Sequence, residues 1–147
     1  MPHKLKKRLG RQYAALPMAE QAGETVVMLV TSRETHRWIL PKGWAEKDMA
    51  PHELAAKEAY EEAGLVGEVQ PEAVGSYSYN KRLRSGREVP CRVQVFPMRV
   101  ERQLEDWPER QQRETRWFPL DKAARMVGED GLSALLLGLM RPQDSTA

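Results

Sequence analysis

Short apolar runs, separated by turn residues, alternate along this chain with stretches of helical spacing. Residues 11–18 and the apolar run 25–31 read as strands joined by a polar turn around residues 20–23. Trp38, Ile39 and Leu40 make a third apolar segment, halted by Pro41 and Gly43. From residue 51 to residue 63 the spacing turns helical. Pro51 suits the first turn, where its missing N–H has no helical acceptor, and Gly64 stands where a left-handed residue ends a helix. The N-cap falls on Asp48 or Ala50. Residues 74–79 and 89–100 read as strands around a basic loop, 81–87, with Ser85 and Gly86 as turn material. In the second of them apolar side chains hold odd positions up to Val95 and even ones from Phe96, which predicts a bulge or an edge beside Pro97. A strand at 115–118 and helices at 121–127 and 132–140 complete the pattern.

The chain has the length of one ordinary domain, 147 residues. With 41% hydrophobic and 30% charged residues it falls in the globular class and outside disordered, collagen-like or coiled-coil chains. The reading is one α/β domain over 11–141, a flexible basic segment over 1–10 and a flexible tail over 142–147. The apolar run 26–30 is far too short to cross a bilayer, and no signal peptide is read. Cys91 is the only cysteine, which excludes an internal disulfide and fits a reducing cytoplasm. Net charge is only +2, but Lys4, Lys6, Lys7, Arg8 and Arg11 open the chain with no acid among them. They form either a solvated terminus or a seat for an anion.

The chemistry concentrates in 43–65. Glu58, Glu61 and Glu62 stand at i, i+3 and i+4, so the three carboxylates share an arc of roughly 100°. Ala55, Ala56, Ala59 and Ala63 form an adjoining stripe that lets the helix backbone approach a sheet. Like charges at that spacing repel and need compensation, and a hard divalent cation, Mg²⁺ or Mn²⁺, is the natural partner of an oxygen-only set. The alternative is a solvated acidic face with Lys57 pairing Glu61.

The flanking residues favour the metal. The segment resembles the Nudix box, G-x5-E-x7-R-E-U-x-E-E-x-G-U with U apolar: Gly43, Glu58, Ala59, Glu61, Glu62, Gly64 and Leu65 fall on it at the required spacing. Met49 replaces the first glutamate of the box and Lys57 its arginine, so charge is kept there without the bidentate fork. The resemblance implies an α/β/α sandwich with a mixed sheet and a catalytic loop-helix-loop. It also implies Glu58 and Glu62 as metal ligands, joined by Glu61 and the main-chain carbonyl of Lys42. Glu61 and Glu58 are the catalytic candidates, with Glu61 as proton acceptor. The activity implied is metal-dependent hydrolysis of a phosphoanhydride.

Outside the box the chain resembles the diphosphoinositol polyphosphate and diadenosine polyphosphate phosphohydrolase branch. The resemblance runs through Thr31-Ser32-Arg33, residues 37–41, Arg92, Glu105-Asp106-Trp107 and Arg113 to Phe118. It implies a small polyphosphate substrate held by Arg33, Arg92, Arg113 and Gly43, because guanidinium forks suit phosphates. Lys81, Arg82, Arg84 and Arg87 would extend the positive field. Trp44 is a candidate stacking residue, whereas Trp38 is expected under the sheet. There is no phosphate loop, no dinucleotide fingerprint and no aromatic–basic interleaving, so no long nucleic acid is expected as partner. Competing readings are a nucleoside triphosphate or nucleotide-sugar pyrophosphohydrolase and a non-catalytic nucleotide-binding module.

Overall fold

The computed structural model describes residues 9–140. Of the segments expected to be flexible, residues 1–8 and 142–147 lie outside the described residues, while Gly10, expected in the first of them, opens a strand.

Strands β1 (Gly10–Gln21) and β2 (Glu24–Thr31) form a hairpin whose register closes at Gln21 and Glu24. Ala22 and Gly23 make the two-residue turn, both with positive φ (51° and 78°), the backbone that matches strand twist. Beyond the pairs nearest this turn the two strands splay apart. The split is filled by β3 (Trp38–Ile39), which pairs with β2, and β4 (Lys42–Trp44), which pairs with β1. Helix α1 (Pro51–Ala63) follows, then β5 (Leu65–Val69), β6 (Gly75–Arg82), β7 (Glu88–Gln103), β8 (Thr115–Pro119), α2 (Leu120–Met126) and α3 (Asp130–Leu139). The eight strands form one mixed sheet in which β1 and β7 run parallel and the other pairs antiparallel.

Each face of the sheet has its own core. On one, Ala55, Ala59 and Ala63 of α1 pack on Ala15, Met28, Val30, Phe96 and Met98. On the other, α2 and α3 cover Leu16, Val27, Leu29, Val93, Val95 and Phe118 with Ala123, Leu132 and Leu136. This is the expected α/β/α sandwich, with Ala55, Ala59 and Ala63 of the alanine stripe against the sheet; Ala56, expected with them, is only half-buried and outside that core. Trp38 packs on the second core, its ring edge-on to Phe118 at 5.2 Å.

The expected bulge or edge at Pro97 is corrected. The parallel register of β1 with β7 runs unbroken from Gly10/Cys91 to Met18/Arg99, and β7 is an interior strand. The change from odd to even apolar positions marks a change of covered face: Val93 and Val95 point to the α2/α3 core, Phe96 and Met98 to the α1 core. Pro97 stands where β7 exchanges one partner, β6, for another, β5, so its missing N–H interrupts no ladder bond. The register shift lies further on, between Val66 and Gly67, where Glu101 is the extra residue. The basic loop is also shorter than expected: Lys81 and Arg82 belong to β6 and the turn occupies 83–87.

Candidate functional site

Helix α1 is set with its carboxylates at the rim of its own contact with the sheet. It starts at Ala50, whose N–H is accepted by Glu53 at 3.4 Å, and ends at Gly64, left-handed at φ 67°. Because Ala55, Ala59 and Ala63 are fully buried, one helical step away Glu58 is half-buried and Glu62 is 4% exposed. Glu58 lies across Gly43 of β4. A Cβ on Gly43 would come 2.5 Å from the Glu58 carboxylate, so only glycine leaves room for it.

The carboxyls of Glu58 and Glu62 stand one helical turn apart and act on each other's titration. Burial raises both above the ordinary carboxylate range, Glu62 to about 9, with Arg113 opposing the shift at Glu62. Without metal, this favours the protonated carboxyl of Glu62 at neutral pH. Arg113, from the β7–β8 connection, is itself almost wholly buried. Its Nε donates to Glu109 at 2.7 Å, one terminal nitrogen donates to the Thr31 carbonyl at 3.0 Å, and the other lies 3.7 Å from Glu62.

These residues fit a divalent cation. Oε1 of Glu62 is buried with no hydrogen-bond partner, the neighbouring Glu58 carboxylate lies over a glycine, and the donors are all oxygen. Among the described residues no group of three or more His, Cys, Asp or Glu is gathered in ligating geometry. The closely placed pair is Glu58 and Glu62. Glu61, half-buried and bearing no side-chain hydrogen bond among the described residues, stands beside that pair and its charge acts on Glu58. The side chain of Lys42 leaves for the opposite face, over the Tyr79 ring at 5.1 Å, where burial lowers its pKa against the pull of Glu129. Any ligand from Lys42 is thus its main-chain carbonyl.

The three candidate arginines do not converge. Arg33 is exposed in the β2–β3 connection and donates to Gln112 at 3.1 Å, close to Arg113. Arg92 lies on the other side of the carboxylates. With Arg11, Tyr13, Gln94 and Leu9 it lines an open groove of about 220 Å³ on the α1 face of the sheet. Arg11 and Arg92 sit directly opposite each other on neighbouring strands, exposed like charges whose mild repulsion an anion would relieve. Tyr13 pairs with Gly43, beneath Glu58, so the groove opens two strand residues from the carboxylates, roughly 7 Å. Trp44 is 42% exposed on the far face, over Gly10. Lys57 pairs with Glu46 at 3.1 Å, not with Glu61, three residues before Met49 where the box has glutamate.

Glu109 and Trp107 are the residues that the sequence does not mark as members of the site, while Arg11, one of the basic residues read as a seat for an anion, lines the groove. Glu109 carried a signal in its i,i+4 spacing to Arg113. Trp107 was noted only as part of a resemblance, yet its ring covers Gly64 and its indole N–H donates to the Glu62 carbonyl at 3.2 Å.

Residues 9–135 match the family described as NUDIX domain. Among curated proteins the chain is 30% identical over 118 residues to Nudix hydrolase 12, mitochondrial, of Arabidopsis thaliana, covering 78% of this chain and 58% of that protein. It is 30% identical over 128 residues to diphosphoinositol polyphosphate phosphohydrolase 3-alpha of Mus musculus, covering 86% and 71%. The chain spans somewhat over half the length of most of the curated relatives it matches. Among solved structures it resembles a binary complex of the C. elegans Ap4A hydrolase, with a TM-score of 0.67, 16% identity, and 89% and 95% of the two chains covered. That likeness concerns the fold. Among the described residues no helix is long and apolar enough to cross a membrane.

Proposed function

This chain belongs to the NUDIX domain family, and from that premise we propose that it hydrolyses a phosphoanhydride bond in a small polyphosphate, of the diphosphoinositol polyphosphate or diadenosine polyphosphate type. The observation that carries the reading is the Glu58–Glu62 pair, half-buried Glu58 over Gly43 and buried Glu62 with a carboxyl oxygen that has no hydrogen-bond partner. Glu58, Glu62 and the Lys42 carbonyl hold Mg²⁺ or Mn²⁺ in this reading. The cation, when bound, neutralises phosphate charge and polarises a phosphoryl oxygen.

The protein's own groups supply the rest. Glu62 gives up its proton to serve as a ligand, which Arg113 favours by stabilising the carboxylate. Glu61, the least constrained of the three glutamates, takes the proton of the attacking water. Gly43 leaves space where a side chain would displace Glu58. Arg92, with Arg11 opposite, draws the anionic part of the substrate along the groove beside Glu58, and Arg33 does the same from the other side. A substrate spanning both flanks carries several phosphates, which supports the polyphosphate class over a nucleotide sugar. The free, buried Cys91 fits a reducing compartment, which we read as the cytoplasm.

Chromatographic identification of the products formed from diadenosine polyphosphates, diphosphoinositol phosphates, nucleoside triphosphates and nucleotide sugars, each with Mg²⁺, Mn²⁺ or chelator, tests the proposal. Turnover should need metal and rank the long polyphosphates first. Chelator-insensitive turnover, or a preference for nucleotide sugars, would overturn it.

A further inference from the structure

A helix leaves its last carbonyls without helical donors. At the end of α1 four consecutive carbonyls are met by one distant segment, 103–109. Gln103 Nε2 donates to Ala63 at 2.9 Å, Leu104 N to Gly64 at 2.8 Å, Trp107 Nε1 to Glu62 at 3.2 Å and Glu109 N to Glu61 at 3.0 Å. Trp107 seals the turn: a Cβ on Gly64 would lie 2.2 Å from its ring. The same segment is then tied to the sheet. Glu114 N donates to Thr31 Oγ1 at 2.9 Å, Thr31 N to the Glu114 carbonyl at 3.1 Å, and Arg113 joins the Thr31 carbonyl, Glu109 and Glu62 in one buried fork.

From this we infer that segment 103–113 is a clasp that sets the carboxylate end of α1, with Arg113 as its latch: a positioning residue acting through Glu62 and Glu109, and not a clamp on substrate phosphate. Nε and one terminal nitrogen of the guanidinium donate to protein oxygens, the other terminal nitrogen lies 3.7 Å from Glu62, and the side chain is 9% exposed. A phosphate reaching Arg113 would have to displace Glu109, at 2.7 Å the shorter of its two carboxylate contacts. Arg92, exposed and without an ion-pair partner among the described residues, is the contrasting case. The catalytic consequence rests on the function proposed above, while the packing consequence does not.

Two measurements separate latch from clamp. In kinetics, Arg113→Ala should lower kcat by about ten- to a hundredfold and leave KM within about threefold, whatever the number of phosphates in the substrate. Arg113→Lys should fail to restore kcat, because the three-way fork needs the planar guanidinium. A KM that climbs with phosphate number while kcat holds, and that lysine largely restores, would make Arg113 a clamp and end the inference. In stability, a double-mutant cycle of Arg113→Ala with Glu109→Ala should be strongly non-additive, the double variant melting no lower than the worse single one. Additive shifts would contradict the latch even in a protein with no detectable turnover. If Arg113→Ala does not fold, Arg113→Lys with Glu109→Gln closes the same cycle. A wild-type protein inactive with every metal would sink the proposed hydrolase but leave the cycle standing as the test of the latch.

Discussion

The two ends of the α1 face hold charge in opposite ways. Around Glu58, Glu62, Glu109 and Arg113 the charged groups are buried or half-buried, close together and mutually constrained. Around Arg11 and Arg92 they are exposed, alike in sign and unpartnered among the described residues. Buried charge costs stability unless each group has its partner, so such a cluster tolerates little change and acts on the chemical step. Exposed like charge costs little, is screened by salt and acts on encounter and affinity. The carboxylate end should therefore govern kcat, and the arginine groove should govern KM.

Glu62→Gln should break the comparison most severely, with turnover down on the order of a thousandfold from loss of a few kcal/mol of charge stabilisation. The fold should survive, since the amide mimics the protonated carboxyl. In chelator the wild-type protein should lose stability as pH rises from roughly 5 towards 9, because the folded-state pKa of Glu62, about 9, stands above its ordinary value of 4.5. The folded state holds the extra proton across that window, so deprotonation favours unfolding. Thermal melts across pH should show the decline in wild type and a flatter profile in Glu62→Gln.

Gly43→Ala comes next. Its methyl would sit 2.5 Å from the Glu58 carboxylate and push it aside, and a displacement near 1 Å costs roughly a hundredfold in rate. Steady-state kinetics should show the loss in kcat. Arg92→Ala should raise KM about tenfold for long polyphosphates, less for two-phosphate substrates, and the gap should narrow in high salt. A kcat effect equal for all substrates would erase the proposed division between the two ends. The smallest effect should come from Lys57→Ala: its pair with Glu46 is exposed, so both kcat and melting temperature should stay near wild type.

The contrast also tracks what the sequence made legible. The carboxylate helix stood out because proline, glycine and the i, i+3, i+4 glutamates are local signals, and its alanine stripe announced a close contact. Strand β4 did not, because Lys42-Gly43-Trp44 sits behind Pro41 and carries no alternation, although it supplies the floor under Glu58. Strand β5 was hidden by Gly67, which is there because the β7 backbone passes so close that a Cβ would lie 2.1 Å from the Arg99 carbonyl. The three arginines looked equivalent in the chain. Only folding separates them, since Arg113 finds Thr31 and Glu62 across long stretches of sequence while Arg92 finds another arginine.

The central claim is that the Glu58–Glu62 pair is built for a divalent cation. Crystals grown with Mn²⁺ and measured for anomalous scattering test it most directly. The account predicts a peak within about 2.0–2.3 Å of carboxylate oxygens of both Glu58 and Glu62, absent from crystals of Glu62→Gln. Density lacking any such peak at saturating Mn²⁺, or a peak bound only by other residues, would contradict it.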